Sequence, residues 1–242
     1  MTTSACQQRR ASAPVGVVAA LREERRLLAR AERLWHGGRP EIVLSGMGPT
    51  RTAAAAEALA DERVAGLVSF GYAGAIASRL KPGTLLIAES VDTEDGARFS
   101  ADHRWLNALE AVLQRAVPTA RGALLSVDRI LATDADKRRA HLATGALAAD
   151  METAAVAVVA ARRGLPFVAL RVVVDGIGQA IPGSVLASLD AEGRVALARL
   201  ALALVKRPGD LRAVLGLARA ARAADRTLSA VCRLVGPRFG FP

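Results

Sequence analysis

Apolar and polar positions alternate along the chain in short blocks. Residues 15–21, 41–45, 66–70, 85–91, 122–126 and 167–174 are apolar runs of strand length. Between them lie segments of helical length: a charged one from Arg22 to about Leu34, an alanine-rich one to about Leu59, and residues 102–117 and 154–163. The last stops at Gly164, since glycine accepts the left-handed conformation of a helix C-cap. The run 167–174 is broken only by Arg171, the pattern of a strand covered on both faces. Such alternation predicts an α/β fold, a sheet with helices on both faces. The polar stretch 92–101 reads as loop.

In sheets of this kind ligands bind beyond the carboxyl ends of strands. Glu24, the turn Ser45-Gly46-Met47-Gly48, the stretch Gly71-Tyr72-Ala73-Gly74, residues 126–130 and Asp175 all follow strands. Glycines in the turn at 45–48 let the backbone approach a ligand, and the helix after it offers its positive end to an anion. The turn has neither the lysine of a P-loop nor a dinucleotide fingerprint, and an ordinary strand-to-helix turn would look the same. Residues 148–178 concentrate the acids. Asp150, Met151 and Glu152 stand where a helix begins, and Asp175-Gly176 closes the strand that follows it. Plainer readings exist for each: helix-start acids favoured by the macrodipole, a turn aspartate before glycine, and, for Glu24 among arginines, a solvated helix face.

Composition narrows the class. The chain has 242 residues, enough for one large α/β domain or two small ones. Hydrophobic residues make up 52%, so a packed fold is expected rather than disorder. The net charge is +10, almost all from arginine, with lysine only at 81, 137 and 206. Alanine and arginine richness together fit a GC-rich coding bias, so the charge is not taken to signal a nucleic-acid partner. Cys6 and Cys232 have neither metal-ligand spacing nor a disulfide framework, and no metal site is expected. His36, His103 and His141 are scattered and read as surface residues. Without a signal-peptide core or an eighteen-residue apolar run, a cytoplasmic protein is expected.

The order of these motifs resembles the purine nucleoside phosphorylase superfamily, most closely its methylthioadenosine/adenosylhomocysteine nucleosidase branch. VGVVAALREE, SGMGPTRTAAA, SFGYAGAIASRLKPGTLLIAESV, DMET and LRVVVD stand in the family's order over about residues 14–205. The resemblance implies a three-layer α/β/α fold with a mixed central sheet, phosphorylase/hydrolase-like. It implies cleavage of the N-glycosidic bond of an adenine nucleoside without a cofactor. Glu152 would bind the ribose hydroxyls, since a carboxylate accepts two hydrogen bonds from a vicinal diol. Met151 would pack on the sugar, with Gly71, Tyr72, Ala73, Ile130 and Asp150 completing the substrate site. Asp175 would hydrogen-bond the base and deliver a proton to N7, turning a poor anionic leaving group into a neutral one. Glu24 matches the glutamate that orients water. Ser45, Gly46, Gly48 and Arg22 would form the water or phosphate subsite. Arg25 or Arg51 could also serve a phosphate, so inorganic phosphate stays open as a co-substrate.

Departures from the family carry information. Tyr72 replaces a small residue, Val174 a serine beside the aspartate, and Ile130 a phenylalanine that stacks on the purine. The segment 92–102 is shorter than in the family, which implies an open 5′ side and a larger 5′ substituent. Residues 1–13 read as a loose tail and 206–242 as a basic helical extension. In that extension Arg212, Arg219, Arg226 and Arg233 recur every seven residues, opposite Val214, Leu217, Ala221, Leu228, Cys232 and Val235. Two helices are compatible with Gly216. A basic amphipathic helix can lie on an anionic membrane or pack on a core. The open 5′ side and this tail together resemble the phosphorylase-like proteins of hopanoid biosynthesis, which implies adenosylhopane as substrate, a membrane-surface contact on the inner face, and a homodimer.

Overall fold

Eight strands hydrogen-bond into one mixed sheet. The structure is a computed structural model that describes residues 13–178, 182–188, 202–203 and 206–242; all but the last residue of the tail expected at 1–13, with Cys6, lies outside them. β1 (Gly16–Ala19) pairs in parallel with β2 (Glu41–Leu44) and β3 (Leu67–Ala75). β3 pairs in parallel with β8 (Phe167–Asp175), and β8 runs antiparallel to β4 (Leu85–Thr93). β4 continues through β6 (Thr119–Ser126) to the short β7 (Ala148–Asp150), which returns antiparallel to the end of β3. Those strands form a closed ring, with β2 and β1 extending from it. β8 is buried along nearly its whole length, as its apolar run predicts.

Helices cover the sheet on both faces. α1 (Arg22–Glu32) buries Glu24, Leu27, Leu28 and Ala31. α2 (Pro49–Asp61) and α5 (Thr153–Arg163) pack through small residues and are tied by Arg163, which reaches Glu57 at 2.6 Å and Asp61 at 2.8 Å. Alanine suits that close approach because it fills little space and favours helix. Gly164 ends α5 at φ 61° as a left-handed cap. α3 (His103–Leu113) starts at Asp102, whose carboxylate accepts from Trp105 N at 2.9 Å. α4 (Asp134–Thr144) is mostly polar and buries one side chain, Lys137. α6 (Gly183–Leu186) is a single turn.

Several segments differ from the sequence expectations. The stretch 92–101 is no plain loop: β4 runs to Thr93 and turns back into β5 (Arg98–Ser100), closed by two 2.7 Å bonds from Arg98 to Asp92. The glycine-rich residues 71–75 continue β3 instead of following it, with a register shift between Ala73 and Gly74. His141 is half-buried, its Nδ1 2.7 Å from the Ala146 carbonyl oxygen. The C-terminal extension is one helix, α7 (Leu211–Val235), running straight through Gly216. The arginine stripe faces water, but from Ala220 onward the opposite face is core, with Ala224, Leu228, Val231 and Cys232 fully buried. Trp35 Nε1 donates to the Cys232 carbonyl at 3.0 Å and Trp105 Nε1 to that of Phe239 at 2.6 Å. That half of the apolar face is therefore taken by the protein itself and is not available to a bilayer.

Candidate active site

Strand ends and helix starts converge on one cavity of about 210 Å³. Its wall is largely apolar, with Leu21, Met47, Ile76, Val127, Ile130 and Leu131. Into it point Glu24, Tyr72, Asp150, Glu152, Asp175 and Lys137. Met151 and Ala73 also line it, and Ile130 stands at its rim, 36% exposed.

Glu24 is 1% exposed and held on three sides. Its Oε2 accepts from Ala20 N and Leu21 N, both at 2.8 Å, and its Oε1 from Tyr72 N at 3.0 Å. Position explains this: as the third residue of α1 it reaches back to cap the helix start. Burial pushes its carboxyl up to about 7, against the pull of the Arg171 guanidinium and those amides. A carboxyl that titrates near neutrality is suited to take a proton from water.

Glu152 is the N-cap of α5, and its Oε1 accepts from Gly48 N at 3.3 Å. The glycine turn thus presents an amide to the glutamate. Burial raises the Glu152 carboxyl, and Asp150 adds to the rise. Asp150 itself is saturated. Its Oδ1 accepts from Ser126 Oγ and Thr153 N at 3.2 Å each, and its Oδ2 from Thr153 Oγ1, with Arg171 Nε at 2.8 Å. Asp150 therefore holds the start of α5 in place and has little capacity left for a ligand.

Asp175 ends β8 beside Gly74, where a Cβ would meet its Oδ1 at 3.1 Å. The absent side chain at 74 makes room for the carboxylate. Burial raises the Asp175 carboxyl, and the ammonium of Lys137, bonded to its Oδ2, opposes that rise. Tyr72 turns its hydroxyl to Asp225 of α7, so the cavity wall is tied to the C-terminal helix.

The proposed phosphate subsite is less converged. Of its turn only Met47 lines the cavity. Ser45 Oγ donates to the Gly46 carbonyl at 2.8 Å, and Arg22 is exposed. Arg25 is spent on Glu32 at 3.4 Å, and Arg51 folds over Gly46. Two residues of the site escape a reading of the sequence. Arg171, 2% exposed, donates to Ser69 Oγ at 2.7 Å and Thr153 Oγ1 at 3.0 Å and is the counter-ion of this acidic cluster. Its signal was there, as the one charge in an apolar run. Lys137 was signalled only by being a lysine in an arginine-rich chain, and of the three lysines it alone is buried. Among the described residues no cluster of three His, Cys, Asp or Glu side chains is placed to hold a metal ion.

A model of the Phosphorylase superfamily matches residues 7–207. A comparison with curated proteins gives no match. Among solved structures, the 5′-methylthioadenosine/S-adenosylhomocysteine nucleosidase of Neisseria meningitidis, in complex with methylthio-immucillin-A, superposes with a TM-score of 0.67 at 18% identity, over 91% of this chain and 97% of that one. The S-adenosylhomocysteine nucleosidase of Streptococcus pyogenes gives 0.62 at 19%, over 90% and 97%. The futalosine hydrolase of Helicobacter pylori gives 0.58 at 19%, over 66% and 86%.

Proposed function

The chain belongs to the Phosphorylase superfamily, and from that premise we propose that it breaks the N-glycosidic bond of an adenine nucleoside and releases adenine. The observation that supports this most is the meeting of Asp175, Glu24 and Glu152 in one apolar cavity, each from a different element. Glu152 accepts the ribose hydroxyls. Asp175 protonates the base at N7 as the bond to C1′ breaks. Glu24 takes a proton from the water that attacks C1′. Four acids, Glu24, Asp150, Glu152 and Asp175, face two bases, Arg171 and Lys137, so the site favours the positive charge that develops on the sugar. Water is the preferred nucleophile, because the arginines considered for phosphate point elsewhere or sit in solvent.

The apolar wall favours an apolar 5′ substituent, and the resemblance to the hopanoid-associated proteins makes adenosylhopane the substrate we favour. Methylthioadenosine or adenosylhomocysteine is the second reading, carried by the likeness to the N. meningitidis and S. pyogenes enzymes. Incubation with adenine nucleosides of increasing 5′ bulk, with and without phosphate, separates these. Free ribose-type product independent of phosphate supports hydrolysis; a sugar 1-phosphate means phosphorolysis. Fastest turnover of the smallest 5′ groups would favour the second reading.

We further propose a homodimer, testable by sedimentation, and contact with an anionic membrane through the start of α7. There Leu211 and Leu215 are about half exposed beside Arg212 and Arg219. Among the described residues no helix is long and apolar enough to cross a membrane. Replacing both leucines by serine should weaken binding to anionic vesicles; unchanged binding would remove this part of the proposal.

A further inference from the structure

α4 is a polar helix that buries a single side chain, and that side chain is a lysine. Lys137 is 1% exposed. Its Nζ donates to Asp175 Oδ2 and, at 3.1 Å, to the Gly176 carbonyl oxygen. The start of α4 is fastened to the same segment, since Asp134 accepts from Gly178 N at 2.9 Å. A buried ammonium carries a large desolvation cost unless it is paired. A helix that needed only an anchor here could use leucine.

The pairing has a chemical consequence. Asp175 Oδ2 accepts a hydrogen bond from an ammonium, so in this arrangement the acidic proton sits on nitrogen. A carboxylate has no proton to give a departing purine. We infer that Lys137 is the reservoir of the proton that Asp175 delivers to the leaving base. This rests on the glycosidic-bond reading of the cavity given above. As the C1′–N9 bond breaks, its electron pair passes into the purine. The proton shared between Nζ and Oδ2 goes to N7. Asp175 is left as carboxylate and Lys137 as neutral amine. The attacking water gives its hydroxyl to C1′ and its other proton to Glu24. Solvent then returns one proton to Lys137 and takes one from Glu24, and the site is reset.

Among the described residues, the charged and titratable groups around the pair are few. Asp134 lies on α4 itself; across the cavity stand Glu24 of α1, Tyr72 of β3, Asp150 of β7 and Glu152 before α5. None of them is bonded to Asp175. Lys137 acts through Asp175 and is a positioning residue that also stores the proton.

The test compares wild type with Lys137→Met and Lys137→Arg. Each is first checked for a cooperative thermal melt. Substrates are an adenine nucleoside that wild type turns over and p-nitrophenyl riboside, whose leaving group departs without protonation. Loss of the proton source should lower kcat on the adenine nucleoside by about 10² or more, the scale of general acid catalysis. The loss on p-nitrophenyl riboside should be under tenfold. Lys137→Arg should not rescue, because a guanidinium does not give up its proton. In Lys137→Met the activity left on the nucleoside should fall with rising pH at least one unit earlier than in wild type, since Asp175 must then carry the proton alone. Equal losses on both substrates, rescue by arginine, or an unmoved alkaline limb would show that Lys137 only holds α4 in place. If both variants fail to melt cooperatively, Lys137→Gln takes their place with the same two substrates: an amide can still donate to Asp175 Oδ2 but has no acidic proton to pass on, so wild-type turnover of the nucleoside by it would overturn the proposal. A wild type inactive on every nucleoside would instead overturn the parent reading.

Discussion

The backbone of Gly71 lies against the carboxylate of Glu24. A Cβ at position 71 would stand 2.6 Å from Glu24 Cδ and overlap Oε1 and the Arg171 guanidinium. Those are closer than any non-bonded carbon tolerates, and what would have to yield is a fully buried acid with its counter-ion. The glycine in β3 is thus part of how the carboxylate of Glu24, the proposed general base, is seated.

Gly71→Ala is therefore expected to displace Glu24. The folded protein should lose about 1–3 kcal/mol, the usual scale for overpacking. Turnover should fall by about 10² or more, the scale of losing a general base. Denaturant melts and purine release read the two effects separately. A variant with wild-type turnover would mean that Glu24 need not sit where it does.

Glu24 gives the site a pH signature. Its carboxyl titrates near 7, and only the ionised form can take a proton from water. kcat/KM for hydrolysis should rise with pH through about 7, and Glu24→Gln should abolish that rise with most of the activity. Stability moves the opposite way. The folded value lies above the ordinary glutamate value of 4.5, so the folded state holds a proton that the unfolded chain has released. That contribution is whole below pH 4.5 and is lost as pH rises through about 7. Glu24→Gln should flatten this decline in Tm; an equal decline in mutant and wild type would assign it to other groups.

Glu152→Gln should weaken turnover of ribosides far more than that of 2′,3′-dideoxy analogues. A carboxylate can accept from both hydroxyls of a diol, while an amide offers one acceptor oxygen. Equal losses on the two substrates would show that Glu152 does not read the diol.

Arg171→Met should destabilise the fold by about 3–5 kcal/mol, because it leaves Asp150 buried without its counter-ion. Adding Asp150→Asn should recover part of that loss. Additive losses in the double variant would show that the two residues are not energetically coupled.

The sheet and its flanking helices were legible because each follows from a local pattern. β8 is an apolar run, α5 ends at Gly164, and the site residues stand at strand ends. Asp175, Glu152, Met151, Glu24, Tyr72, Ala73 and Ile130 all reach one cavity for that reason. Lys137 was not legible, since nothing in α4 has apolar periodicity and its burial comes from Asp175, a partner far along the chain. β5 was hidden in a polar stretch because an edge hairpin needs few apolar residues. The alternation in α7 was read correctly as amphipathic. Which partner covers the apolar face is a tertiary fact, and for its C-terminal half the partner is the core beneath Trp35, Trp105 and Phe239. Removing residues 206–242 would therefore unfold the protein rather than test membrane contact.

The most direct measurement is purine release by purified wild type and Asp175→Asn on one panel of 5′-substituted adenine nucleosides, followed by chromatography. Glycosidic cleavage with Asp175 as the general acid requires adenine released in equal amount to sugar by wild type, and a rate lower by about 10² or more in Asp175→Asn with an unchanged melt. No adenine from any nucleoside with wild type, or equal release by the variant, would contradict it.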